Sequence, residues 1–135
     1  MSTIQSFEEI ESWKLSRKLC MRIGALIDAG KFKNNYALVN QMEKSSGSIM
    51  DNIAEGFERG TRREFITFLG YAKGSCGELR SQLYRSLDRN YINQEDFNEL
   101  LDLCIQVSAL LQKFIRYLQN TPIDGVRKKS TNLKP

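Results

Sequence analysis

Apolar residues recur every three or four positions in four separate runs along this chain, the spacing that one face of an α-helix requires. The first run is Trp13, Ser16, Cys20, Ile23 and Ile27, and the second is Leu38, Met42, Ser45, Ile49, Asn52 and Ile53. The third takes in Phe65, Phe68, Leu69, Ala72, Cys76, Leu79, Leu83 and Leu87. The fourth, the most regular, takes in Phe97, Leu100, Leu101, Cys104, Val107, Leu111, Phe114 and Leu118. Local chemistry sets the ends of each run. Ser6-x-x-Glu9 and Thr61-x-x-Glu64 are capping boxes that open helices one and three. Gly30 offers helix one a left-handed exit. Helix two starts at Asn34 or Asn35 and is closed by Gly56 to Gly60. Asn90 and Asn93 bracket a turn, and Gln94-Glu95-Asp96 sets acids on the positive end of helix four. The predicted helices are 7–29, 35–57, 62–89 and 94–119.

Linkers of about 3–5 residues set consecutive helices antiparallel, so the fold expected is an all-α, up-down-up-down four-helix bundle over residues 1–120. The two prolines, Pro122 and Pro135, both fall in the last stretch, and residues 121–135 read as a basic flexible tail. With 135 residues the chain is long enough for one core and too short for two ordinary domains. No stretch approaches the roughly 20 apolar residues of a membrane span, and residues 1–11 lack the basic and apolar regions of a signal peptide. No membrane association and a cytoplasmic location are expected.

Candidate chemistry is sparse. The chain has no histidine, and its three cysteines, Cys20, Cys76 and Cys104, are widely spaced at apolar positions. They read as core residues, with no metal site and no cofactor. The run Ser45-Ser46-Gly47-Ser48 lies inside helix two, where a nucleophilic serine would lack a base. Close approach of helix three, with hydroxyls bonded to their own backbone, accounts for it. Glu55 and Glu78 suggest paired carboxylates, but ion pairing of Glu55 with Arg59, Arg62 or Lys73 is the simpler expectation. Asn52 is expected to bond backbone groups across the bundle. No enzymatic activity and no catalytic residue are expected.

Net charge is only +4, yet it is segregated. Residues 61–89 carry six bases against three acids, whereas residues 34–58 carry one base against four acids. Lys14, Arg17, Lys18 and Arg22 form a band on helix one, and Arg62, Lys73 and Arg80 align within about 20° on helix three. With Arg127, Lys128 and Lys129 in the tail, these are the candidate nucleic-acid-binding residues, set against a solvated charged face as the alternative. Tyr71 and Tyr84 are available for stacking or for an interface. Gly70, Gly74, Gly77 and Ser81 share one side of helix three at a cost of about 1 kcal/mol per glycine, so another backbone is expected there. That backbone belongs to the same bundle or to a second subunit.

Two motifs stand out together: Ser48-Ile49 followed by Asn52-Ile53-Ala54-Glu55-Gly56, and Arg59 followed by Glu64-Phe65, Phe68-Leu69, Ala72, Gly74-Ser75 and Glu78-Leu79. With Trp13 and Gln41 they resemble the 23S rRNA-intervening-sequence protein family over about Phe7 to Leu118. The resemblance implies a four-helix bundle assembled as a homopentamer. A related branch is similar to accessory proteins of diversity-generating retroelements, which bind nucleic acid and a reverse transcriptase. Glu43 and Lys44 stand where relatives commonly have two arginines, and Gly70 and Gly77 replace larger residues. The expectation is a homopentameric adaptor for structured RNA, DNA or a ribonucleoprotein. The alternative is a protein-binding subunit of a reverse transcriptase with little RNA affinity of its own.

Overall fold

The computed structural model describes residues 4–121. The basic tail positions Arg127, Lys128 and Lys129 lie outside the described residues. Four α-helices account for nearly all of the described chain: α1 (Glu11–Asp28), α2 (Tyr36–Glu58), α3 (Arg62–Asp88) and α4 (Gln94–Gln119), with a 3-10 turn over Phe7–Glu9 ahead of them. No β-strand is present among the described residues. Consecutive helices pack on one another and α1 closes on α4, which makes a ring of four around one core. The α1 and α3 backbones stay more than 8 Å apart at every Cα pair, on diagonal corners of the ring. Along the α2–α3 seam, partner numbers fall as they rise: Gln41 meets Arg85, Ser45 meets Glu78, Ser48 meets Ser75 and Gly56 meets Phe68.

The first helix begins four residues later than its capping box suggests. Glu9 accepts from the Gln5 and Ser6 amides at 3.0 Å each, but the turn it closes is a single 3-10 turn. Ile10 then adopts an extended conformation (ψ 125°) with its side chain fully buried, and α1 starts after it. The inward face of α1 is also rotated from the expected one. Ser12, Ser16, Leu19 and Ile23 are buried, while Trp13, Cys20 and Ile27 sit half-buried at its margin.

Other ends follow from capping. Asn35 Oδ1 accepts from the Leu38 amide at 3.1 Å and Thr61 Oγ1 from the Glu64 amide at 3.2 Å. Asn93 Oδ1 accepts from the Asp96 amide at 2.7 Å. Gly60, at φ 85°, ends α2 in a conformation that costs glycine little. Gly56 does not help close that helix. It lies buried within α2, and the absence of a Cβ lets α3 approach at Phe65 and Phe68. Phe57, Phe65 and Phe114 stack edge to face beside it, with centroids 5.9 and 5.1 Å apart. Cys76 and Cys104 are buried between α3 and α4, with Cys76 Sγ donating to the Cys104 carbonyl at 3.1 Å.

Candidate nucleic-acid interface

The outer face of α1 is built by default: once Leu19 and Ile23 turn inward, residues about 180° away face water. Lys14, Arg17 and Lys18 are exposed there and surround Met21, an exposed apolar side chain (66 %). Their charges are only weakly compensated. Lys14 approaches Glu11 at 3.6 Å, both well exposed, and Arg17 lies 5.8 Å from the Trp13 ring centre. Arg22, at the flank, is different. It forms a salt bridge with Glu99 of α4, which lowers what it can offer a phosphate.

The α3 group does not extend this surface. Arg80 is exposed and Arg62 and Lys73 are half-buried, on the side of α3 that turns toward α4. Because α1 and α3 stand on a diagonal, the chain presents two separate basic edges rather than one field. Helical-wheel reasoning locates each band on its own helix but cannot place the two helices relative to each other.

Gly70, Gly74, Gly77 and Ser81 are all exposed, and a Cβ built on any of the three glycines meets nothing within 4 Å. Close packing within the bundle, one of the two sequence expectations, is therefore not what these glycines serve. They make a bare ribbon along the outermost line of α3. Tyr71 flanks it on one side, stacked on Phe68 at 5.4 Å, and Tyr84 on the other, stacked on Phe97 at 4.9 Å. Both rings stay about half exposed, at 57 % and 49 %.

Asn52, Glu55, Arg59 and Glu78 belong to three separate groups of contacts. Glu55 accepts from Arg59 Nη2 at 2.8 Å, and Arg59 Nη1 reaches Glu64 at 3.4 Å while the guanidinium sits 4.9 Å from the Phe68 ring centre. The Glu55 hydrogen bond holds the Arg59 pKa above its ordinary value. Glu78 instead accepts from Ser45 Oγ at 3.1 Å, well along α3 from Glu55, so the two carboxylates are not paired for acid–base work. Asn52 bonds within its own helix, donating to the Ser48 carbonyl at 2.8 Å and to Ser48 Oγ at 2.9 Å. The link across the seam is made by Ser75 Oγ, which donates to Ser48 Oγ at 2.9 Å. Ser45 and Ser46 bond back to the Gln41 and Glu43 carbonyls at 2.8 and 3.3 Å. Among the described residues no cluster of three or more metal-ligating side chains occurs.

A model of the 23S rRNA-intervening sequence protein family matches residues 8–113. The chain belongs to this family. A crystal structure of a protein of unknown function from the S23 ribosomal protein family of Bacteroides thetaiotaomicron is similar, with a TM-score of 0.72 at 22 % identity over 78 % of this chain and 98 % of that one. At that identity the likeness shows the fold. A search of curated proteins finds no match. No helix among the described residues is long and apolar enough to cross a membrane. Within the intervening-sequence protein, the signal missed from sequence is Arg85. It faces Gln41 across the α2–α3 seam, with Nη1 2.9 Å from Gln41 Oε1, and only the fold brings those two positions together.

Proposed function

We propose that the protein is a non-enzymatic, homo-oligomeric adaptor, pentameric as the family resemblance implies, built from an antiparallel up-down-up-down bundle. It binds structured RNA or a ribonucleoprotein through the outer face of α1. The observation that carries this reading is the cluster of Lys14, Arg17 and Lys18, exposed and with no carboxylate nearer than the 3.6 Å contact of Lys14 to Glu11. Among the described residues no RNA-binding motif accompanies it, so contact is with phosphates and shape rather than base edges.

Assembly is supported by the glycine ribbon. Each helical glycine costs about 1 kcal/mol relative to alanine, and among the described residues no contact offsets that at Gly70, Gly74 and Gly77. A neighbouring protomer's backbone seated between Tyr71 and Tyr84 would supply the missing contacts, since aromatic residues are enriched at such interfaces. In that arrangement α1, diagonal to α3, faces away from the subunit contact. Lys14, Arg17 and Lys18 then meet RNA, and Arg80 and Lys73 serve the assembly edge instead.

The test is light-scattering mass with and without a mixed RNA pool, at low and high salt. A mass near five chains is expected, rising with RNA at low salt and falling back at high salt. For three phosphate contacts, log K against log salt should have a slope near −2 to −3, lost in the triple variant Lys14→Glu, Arg17→Glu, Lys18→Glu (about 0.7–0.9 per contact). Unchanged binding by that variant removes α1 from the site. The exposed tyrosines also favour a second reading, a protein-binding subunit of a reverse transcriptase, and a pull-down that survives nuclease treatment would select it.

A further inference from the structure

Between α2 and α3, toward the α3 C-terminus, lies an open cleft of about 470 Å³ lined on α2 by Gln41, Lys44 and Ser45 and on α3 by Glu78, Gln82, Arg85 and Ser81, the last shared with the glycine ribbon. The i, i+3, i+4 spacing on α2 and the i, i+3, i+4, i+7 spacing on α3 bring both sets to facing edges of the seam. Lys44, Glu78 and Arg85 surround the opening, yet among the described residues none of the three forms an ion pair. Glu78 accepts from the Ser45 hydroxyl at 3.1 Å, and Arg85 donates to Gln41 Oε1 at 2.9 Å. Two of the charges are thus held by neutral neighbours, and opposite charges stay apart across the cleft.

At its edge stands Gln82, only 3 % exposed, whose Oε1 is buried with no hydrogen-bond partner. A buried acceptor without a donor is destabilising, and Gln82 occupies a buried position on α3 where a leucine would pack without that cost. That Oε1 has no exposed surface, so the lining offers a ligand two cations for an anion and the Glu78 carboxylate for a donor. No aromatic side chain lines it, so a nucleobase would find no stacking platform. The volume lies within the usual range for small-molecule sites, about 300–1,000 Å³.

We propose that this cleft binds a small zwitterion, with its carboxylate or phosphate on Lys44 and Arg85 and its primary ammonium on Glu78. The site is separate from the α1 face and does not depend on RNA binding. Ligand-observed NMR on the full chain tests it with glycine, glutamate and O-phosphoethanolamine as zwitterions, and with acetate and methylammonium as their isolated halves. Comparing glutamate with O-phosphoethanolamine shows which anionic group is preferred. At least one zwitterion should bind with a dissociation constant of about 1 mM or tighter, and each half at least about tenfold more weakly. Glu78→Gln and Lys44→Ala should each weaken binding about tenfold or more, with circular dichroism and mass unchanged. Glu78 and Lys44 are both exposed, so replacing either leaves the core intact. The proposal fails if no zwitterion binds up to about 10 mM. It also fails if acetate binds as tightly as the zwitterions, or if Glu78→Gln leaves their binding unchanged.

Discussion

Replacing Gly56 with alanine should destabilise the bundle, although alanine is the better helix former. A Cβ at this position would lie 2.6 Å from Phe68 Cβ, 3.0 Å from Phe65 Cδ1 and 3.5 Å from Phe65 Cα. Carbon atoms in contact prefer about 3.5–4.0 Å. The Phe65 ring can rotate, but Phe68 Cβ is fixed to the α3 backbone, so relief requires α3 to move outward by about 1 Å. That movement opens the Phe57–Phe65–Phe114 stack beside it. Overpacking of this kind costs about 1–3 kcal/mol, and a contact to a backbone-tethered atom belongs at the upper end. Improved helix propensity returns about 1 kcal/mol. The net loss is about 2 kcal/mol, or about 6–10 °C in Tm for a chain of this size. Urea denaturation followed by circular dichroism, at fixed chain concentration and with the m-value checked, measures it. Gly24→Ala is the internal control. Gly24 also lies within a helix, a Cβ there meets nothing within 4 Å, and a gain of up to about 1 kcal/mol is expected. A Gly56→Ala protein as stable as the parent would refute the claim that the glycine is there for close approach.

Ser48→Ala and Ser75→Ala should each cost about 1 kcal/mol, and the double variant less than the sum, because both remove the same 2.9 Å bond. Strict additivity in urea denaturation would show that the two hydroxyls are not coupled. Thiol titration of the native protein at neutral pH should find Cys20 reactive and Cys76 and Cys104 silent until denaturant is added. Both silent cysteines are buried, and the Cys76 neighbour together with burial pushes the Cys104 thiol well above its usual range. Rapid labelling of all three in native buffer would contradict the core packing described.

The four helices are legible in the sequence because their apolar spacing is long, and their ends because caps such as Thr61 and Asn93 act through residues two or three positions away. Where several structures satisfy the same local signal, legibility ends. Ser6 and Glu9 suit a single 3-10 turn as well as a helix start, and only burial of Ile10 decides between them. Gly56 sits in a glycine-bounded stretch that reads as a loop, since its reason for being glycine is on another helix. Gly70, Gly74 and Gly77 are legible as a contact surface, but a wheel does not tell whether the backbone expected there lies in the same chain or in another. The two basic bands were legible one helix at a time. Their separation on a diagonal depends on the order of helices around the core, which no single helix encodes.

The hydroxyl seam between α2 and α3 has one more consequence. An apolar stripe that repeats every seven residues fits its partner nearly as well after sliding by two turns, so greasy contacts alone define alignment poorly. The seam narrows the choice together with its glycine: a two-turn slide one way would set Ser48 against Phe68, and the other way would carry Phe68 past the end of α2 and away from Gly56, the position that admits it. The seam is a vernier: it fixes the axial setting of the two longest-contacting helices and leaves the core free to change its fillings. Volume-conserving exchanges at Met42 or Leu79 should then be absorbed in place, whereas relocating one serine by a turn would put two alignments in competition.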